Sequence, residues 1–152
     1  MTNLNIGDPA PRDINLDKIL NKSALVLYFY PKDDTPGCTI EANDFSILVD
    51  KFDAFGIKIF GVSKDNEKSH KKFISKYNLR INLIADENKE ICKKYNILKE
   101  KSMFGKAYIG IDRVTFFIDQ NGIIKKIWKS VKVKGHAQEV LEYIQDKFSN
   151  IK

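Results

Sequence analysis

Ala24-Leu25-Val26-Leu27-Tyr28-Phe29-Tyr30, followed at once by Pro31-Lys32-Asp33-Asp34-Thr35-Pro36-Gly37-Cys38, is the stretch on which the reading of this chain turns. The apolar run is too short to cross a membrane and too continuous for a strand with one wet face. It predicts a strand buried on both faces, as in the middle of a parallel sheet. Beyond it, Ile40, Phe45, Leu48, Val49, Phe52 and Phe55 recur at helical spacing. Thr35 and Pro36 suit the N-cap and the first helical position, which places Cys38 in the opening turn. A thiol there meets unpaired backbone N–H groups and the positive end of the helix dipole, and both favour thiolate over thiol. The pattern is that of a reactive cysteine on an α/β scaffold.

Further elements follow in alternation. Ile57-Lys58-Ile59-Phe60-Gly61-Val62-Ser63 reads as a second strand, and a Lys-rich helix runs from about Asn66 to Tyr77 with Phe73, Ile74 and Tyr77 on its apolar side. A short strand near Leu83-Ile84-Ala85 and a helix near Lys89 to Tyr95 come next. Arg113 to Asp119 and Ile123 to Trp128 flank Asn121-Gly122, a hairpin signal. Ala137, Val140, Leu141, Ile144 and Phe148 mark one face of a closing helix. With no repeat or linker, this predicts one α/β domain over residues 1–152, a mixed central sheet with helices on both faces.

Composition narrows the function. At 152 residues, 43% of them apolar, the chain can bury a core of its own. Its start resembles no signal peptide and no later run is long enough for a membrane span, so no membrane partner is expected. Two cysteines, Cys38 and Cys92, make no disulfide framework and suit a reducing cytoplasm. The net charge of +6 comes from lysines spread along the chain, with Asp65 and Glu67 interspersed in the one local cluster. That is a solvated helix face rather than a nucleic-acid footprint.

Several cysteine chemistries are excluded by the neighbours of Cys38. A dithiol oxidoreductase needs a second thiol with two residues between, where Thr35 and Glu41 flank the site instead. A cysteine phosphatase needs an arginine closing its loop, where this chain has Asp44, whose charge repels phosphate. His70 and His136 lack a protease-like context; His70 reads as a surface residue of its helix and His136 as a helix-start residue. The two Cys and two His are not at metal-ligand spacing, so no metal and no cofactor are expected. Reduction of a peroxide by a lone thiolate remains. It needs an ionised nucleophile and donors for the charge that develops as the O–O bond breaks.

Tyr28-Phe29-Tyr30 with Pro31-x-x-x-Thr35-x-x-Cys38 resembles the active-site signature of peroxiredoxins. Thr35-Pro36-Gly37-Cys38-Thr39 and the stretch Lys101 to Arg113 running on to Asp119 are similar to the bacterioferritin-comigratory-protein (PrxQ) subfamily, as is the opening Gly7-Asp8-x-Ala10-Pro11. The resemblance spans nearly the whole chain and implies a thioredoxin-like fold. It implies a thiol peroxidase, an antioxidant enzyme reducing hydrogen peroxide and organic hydroperoxides, reset by a thioredoxin-type protein or a small thiol such as glutathione. The oligomeric state it suggests is a monomer or weak homodimer. Cys38 would be the peroxidatic nucleophile, Thr35 would hydrogen-bond the peroxide, Pro31 would shield the site, and Arg113 would complete a positive pocket. Only Arg12, Arg80 and Arg113 break the lysine usage, and Arg offers a planar fork that Lys lacks.

The chain departs from the subfamily where a second, resolving cysteine is usual. Asn43 occupies one such position, and the helix from Asn66 to Tyr77 has no cysteine. Cys92 is the one remaining thiol, a possible resolving residue that reads better as a half-buried structural one. A one-cysteine cycle with an external thiol is therefore expected. The rival reading is a non-catalytic redox sensor or holdase switched by oxidation of Cys38. The N-terminal region leaves little room for a hairpin before Ala24.

Overall fold

A computed structural model describes residues 2–149, with side chains through Lys147; Phe148, one of the expected apolar positions of the last helix, lies outside the described side chains. The continuous apolar run becomes the central strand β1 (Ala24–Phe29). Beside it β2 (Ile57–Ser63) and β3 (Asn82–Ala85) run parallel, while β6 (Val114–Ile118) and β7 (Ile124–Trp128) continue the sheet antiparallel on the other side, in the order β3-β2-β1-β6-β7. Between them α1 (Pro36–Ile47), α2 (Val49–Asp53), α3 (Glu67–Tyr77), α4 (Glu90–Lys94) and α5 (His136–Ser149) supply the layers. A separate two-stranded ribbon, β4 (Leu98–Met103) with β5 (Lys106–Ile111), stands off the sheet.

Strand alternation divides the interior in two. Val26, Tyr28 and Tyr30 face a cluster with Phe45 of α1, Phe52 of α2, Phe73 of α3 and Val140, Leu141 and Ile144 of α5. Leu25, Leu27 and Phe29 face the opposite way, onto Ile91 and Cys92 of α4, Tyr95, and Leu16 and Leu20 of the N-terminal segment. Each fully buried aliphatic or aromatic side chain is worth about 1.5–3 kcal/mol. Helices thus cover both faces, as the alternating pattern predicts. No helix among the described residues is long and apolar enough to cross a membrane.

Two expectations about the helix behind Cys38 need correction. The helix behind Cys38 is not continuous: Leu48 leaves helical geometry and its N–H bonds back to Phe45, splitting α1 from α2. The inward face of α1 carries Cys38, Glu41, Ala42, Phe45 and Ser46, so Ile40 is left 46% exposed. Apolar spacing misleads there because two of the buried positions are chemical rather than greasy. The β4–β5 ribbon escapes a sequence reading altogether. Its two-residue turn, Phe104-Gly105, has both residues at positive φ, the geometry that favours Asn-Gly, and its strands are mostly wet, so no alternation marks them. At the N-terminus, where little room for a hairpin was expected, none forms among the described residues. Gly7 and Ala10 instead donate to the Ile124 and Gly122 carbonyls, laying the opening segment along the start of β7.

Candidate active site

β1 has to end where the site begins. Pro31 has no N–H for a ladder, and Asp34 at φ 57° turns the chain sharply. Thr35 then stands extended at the N-cap, Pro36 takes the first helical position, and the first helical bond runs from the Thr39 N–H to the Thr35 carbonyl. Cys38 therefore lies in the opening turn of α1, 1% exposed. The position expected for Thr35 holds, but its expected capping bond does not. The hydroxyl makes no bond to the helix and donates instead to the Lys32 carbonyl at 2.8 Å. No side chain caps the first turn of α1, so its N–H groups stay open to an anion.

Arg113 reaches this turn from the start of β6, the strand beside β1. It sits in the break between β5 and β6, its carbonyl held by the Val131 N–H. Nη2 donates to Cys38 Sγ at 3.2 Å, and Nη1 donates to Glu41 Oε1 at 3.1 Å. Gly37 makes the approach possible, since a Cβ there would lie 2.8 Å from Arg113 Nη2. Sequence reasoning missed the roles of Gly37 and Glu41 here. Glu41 is 1% exposed, one turn beyond Cys38 on the same face of α1. Burial pushes its carboxyl up to about 8 against the opposing pull of Arg113, and Oε2 finds no hydrogen-bond partner among the described residues. The available signal was an acidic residue four positions before Phe45 on what the cysteine marks as the inward face.

Pro31 and Thr35 border a cleft of ≈ 390 Å³ whose other walls include Lys101, Met103, Tyr108 and Ile111 of the ribbon. Burial lowers Lys101, which donates to the Ile111 carbonyl at 2.7 Å. A larger cleft, ≈ 490 Å³, opens between Trp128 and His136 and includes none of Pro31, Thr35, Cys38 or Arg113 in its lining. Neither Cys38 nor Arg113 lines either cleft; the presence of Pro31 and Thr35, from the loop that leads into Cys38, makes the smaller one the candidate for a substrate.

The remaining expected residues fall elsewhere. His70 is not a surface residue: it is 3% exposed and bonded within the interior to Asp33 and the Ile84 carbonyl. His136 does open α5, but it too is buried, between Thr115 and Glu139. Cys92 is fully rather than half buried. It belongs to the apolar cluster on the far face of the sheet from Cys38, so the two thiols are not brought together. Burial first, and then the Asp86 carboxylate, push the Cys92 thiol up. Among the described residues no group of three His, Cys, Asp or Glu side chains is placed to hold a metal.

Comparison with known proteins agrees with this geometry. The AhpC/TSA family model matches residues 2–127. Peroxiredoxin Bcp of Bacillus subtilis is 45% identical over 122 residues, 80% of this chain and 78% of that protein. The crystal structure of a cysteine-to-serine mutant of Xylella fastidiosa PrxQ superposes with a TM-score of 0.88 at 36% identity, covering 97% of this chain and 99% of the other. Xanthomonas campestris bacterioferritin comigratory protein, solved in trapped intermediate and ligand complexes bearing on its alkyl peroxide reduction, gives 0.78 at 43% identity over 82% and 80% of the two chains. A thioredoxin-like sheet with a lone, guanidinium-bound cysteine at a helix start, and relatives of this name over most of its length, lead to one conclusion: the chain belongs to the AhpC/TSA family, as a peroxiredoxin of the Bcp/PrxQ type.

Proposed function

We propose that Cys38 is the peroxidatic nucleophile of this thiol peroxidase, with Arg113, Thr35 and Pro31 as its working partners and residues 1–152 acting as one domain. The observation that carries the reading is the Arg113 Nη2 bond to Cys38 Sγ at an uncapped helix start. The thiolate attacks one peroxide oxygen, the O–O bond breaks, and the departing alkoxide or hydroxide takes a proton to leave as alcohol or water. Cys38 is left as sulfenic acid. The guanidinium and the open N–H groups of α1 stand where negative charge moves from sulfur to the leaving oxygen. Because the Thr35 hydroxyl spends its proton on Lys32, its lone pairs are free to accept the O–H of a hydroperoxide. Pro31, with no N–H, helps to wall the cleft. Hydrogen peroxide and organic hydroperoxides both suit a cleft whose ribbon wall is partly apolar.

The reset is read as a one-cysteine cycle. A disulfide needs Cα atoms within about 7 Å, and Cys92 packs on the opposite face of the sheet. An external thiol, from a thioredoxin-type protein or a small molecule such as glutathione, would attack the sulfenic sulfur and release water. A second thiol would then resolve the mixed disulfide. Two free cysteines fit a reducing cytoplasm, with the enzyme acting there as a monomer or weak homodimer on no nucleic acid and no membrane. Peroxide consumption with a thiol donor tests the nucleophile: Cys38→Ser falls to background. Mass spectrometry after stoichiometric peroxide tests the cycle. Sulfenic acid on Cys38, passing to sulfinic acid in excess peroxide, supports it; a Cys38–Cys92 disulfide together with loss of turnover in Cys92→Ser overturns it.

A further inference from the structure

The loop that carries Pro31 and Thr35 is held by α3. Asp33 is buried, and its Oδ1 accepts from the Tyr30 hydroxyl at 2.6 Å. Its Oδ2 accepts from Ser69 Oγ at 2.8 Å and from His70 Nδ1 at 2.8 Å. The Asp33 N–H donates to Asp65 Oδ2, which also takes the Ser63 hydroxyl. Asp34 is held at the far end of the same helix by Lys76 and Tyr77. Thr35 follows immediately.

His70 is the unusual member. Its Nδ1 faces a carboxylate and its Nε2 faces the Ile84 carbonyl on β3 at 3.1 Å. Both partners are acceptors, so both ring nitrogens must carry hydrogen, and the form that fits is the imidazolium. Around it stand Asp33 and Asp65 from the loops and Tyr30 just after β1, with Glu67 and Lys71 of its own helix on the adjoining cleft. Burial alone would push His70 down, but Asp33, the Ile84 carbonyl and Asp65 outweigh it and hold its pKa above the usual histidine value. Bonds from His70, Tyr30 and Ser69 outweigh burial at Asp33 and hold that carboxyl below its usual range.

We propose that His70, through Asp33, is a positioning residue for the peroxidase reaction, tethering the Pro31–Thr35 loop to α3 so that the Thr35 hydroxyl stays aligned with the Cys38 sulfur. The proposal rests on the reading of Cys38 and Thr35 above. Its direction with pH follows from the ring. As pH rises through the raised value, His70 loses a proton and one acceptor, Asp33 or the Ile84 carbonyl, loses its donor. The tether weakens on the alkaline side.

The test uses the full chain, from pH 6 to pH 9.5, and compares two rates at Cys38: single-turnover oxidation by hydrogen peroxide and alkylation by iodoacetamide. Alkylation needs the sulfur but not its alignment with Thr35. His70→Gln, which keeps one donor, slows peroxide oxidation about tenfold and flattens the alkaline decline, while His70→Phe slows it up to about a hundredfold, the scale of a small misplacement. Alkylation stays within about twofold in both. A His70→Gln protein with the parent peroxide rate and alkaline limb overturns the proposal, as does a parallel loss of both rates. Arg113→Ala in the same assay separates the underlying reading: if that variant keeps its peroxide rate, the site itself is wrong and the tether falls with it. Nitrogen NMR of the unmutated protein decides the matter even where a variant fails to fold. Two protonated ring nitrogens on His70, with the Thr35 and Cys38 amides shifting as it titrates, support the tether; amides that ignore the titration overturn it.

Discussion

Cys38 and Cys92 are equally shut away, 1% and 0% exposed, and each lies near the start of a helix. Their surroundings are nevertheless opposite. At Cys92, Asp86 accepts the N–H groups of Ile91 and Cys92 itself, so the donors of that helix start are already taken by a carboxylate. The same carboxylate, added to burial, opposes ionisation of the thiol. At Cys38 the N-cap hydroxyl turns away to Lys32, the first turn stays uncapped, and a guanidinium donates to the sulfur. Burial does not distinguish the two thiols. The sign of the nearest buried charge and the occupancy of the helix N-terminus do.

Removing the guanidinium is the strongest way to erase the difference. Arg113→Ala should lower the peroxide rate constant by a hundredfold to a thousandfold, roughly the scale of losing a donor to developing charge. Arg113→Lys should recover only part, because a single ammonium cannot hold Cys38 and Glu41 together. Stopped-flow peroxide oxidation measures both; a near-normal rate in Arg113→Ala would mean that Arg113 only packs there, and one in Arg113→Lys that the charge suffices without the fork. Thr35→Val comes next, at about a hundredfold. Since the hydroxyl caps nothing, urea unfolding should show a change of no more than about 1 kcal/mol, the net worth of its bond to Lys32. A larger stability loss would reassign Thr35 to the fold.

Glu41→Gln sharpens the comparison through pH. The Glu41 carboxyl moves from 4.5 to about 8 on folding. Between those values the folded state binds the extra proton, so the contribution of Glu41 to stability falls as pH rises through that window and stays low above it. Glu41→Gln lacks this dependence. Its stability relative to the parent should rise by a few kcal/mol, roughly, from pH 5 to pH 8.5 in urea unfolding. A constant difference across that range would show that Glu41 keeps a carboxylate of ordinary acidity. The smallest effect is at the other thiol. Cys92→Ser should retain turnover within about twofold with a small-thiol reductant, and lose about 1 kcal/mol or more for a hydroxyl in an apolar cluster.

Local signals carried far into this molecule. The unbroken run from Ala24 to Tyr30 is sufficient to indicate a central strand, because no half-exposed strand tolerates it. Thr35-Pro36 places a helix start, and Asn121-Gly122 a hairpin, because each residue restricts its own backbone. The peroxiredoxin signature followed from Pro31, Thr35 and Cys38 standing together, and Arg113 drew notice from its scarcity.

What the sequence could not determine are relations between distant residues. Glu41 and Cys38 share a face on which no apolar periodicity appears, so only packing against β1 shows it as the inner one. Gly37 matters because Arg113 arrives from beyond β5, half the chain away in sequence. His70 belongs to a Lys-rich helix and reads as solvated until α3 is laid against the β1–α1 loop and Asp33 meets it. The separation of the thiols is likewise decided by strand alternation acting on two layers of helices, not by their spacing in the chain. Backbone preferences act over a few residues and can be read along a line. Burial and charge pairing depend on which surfaces meet, and the tertiary fold alone brings those surfaces together.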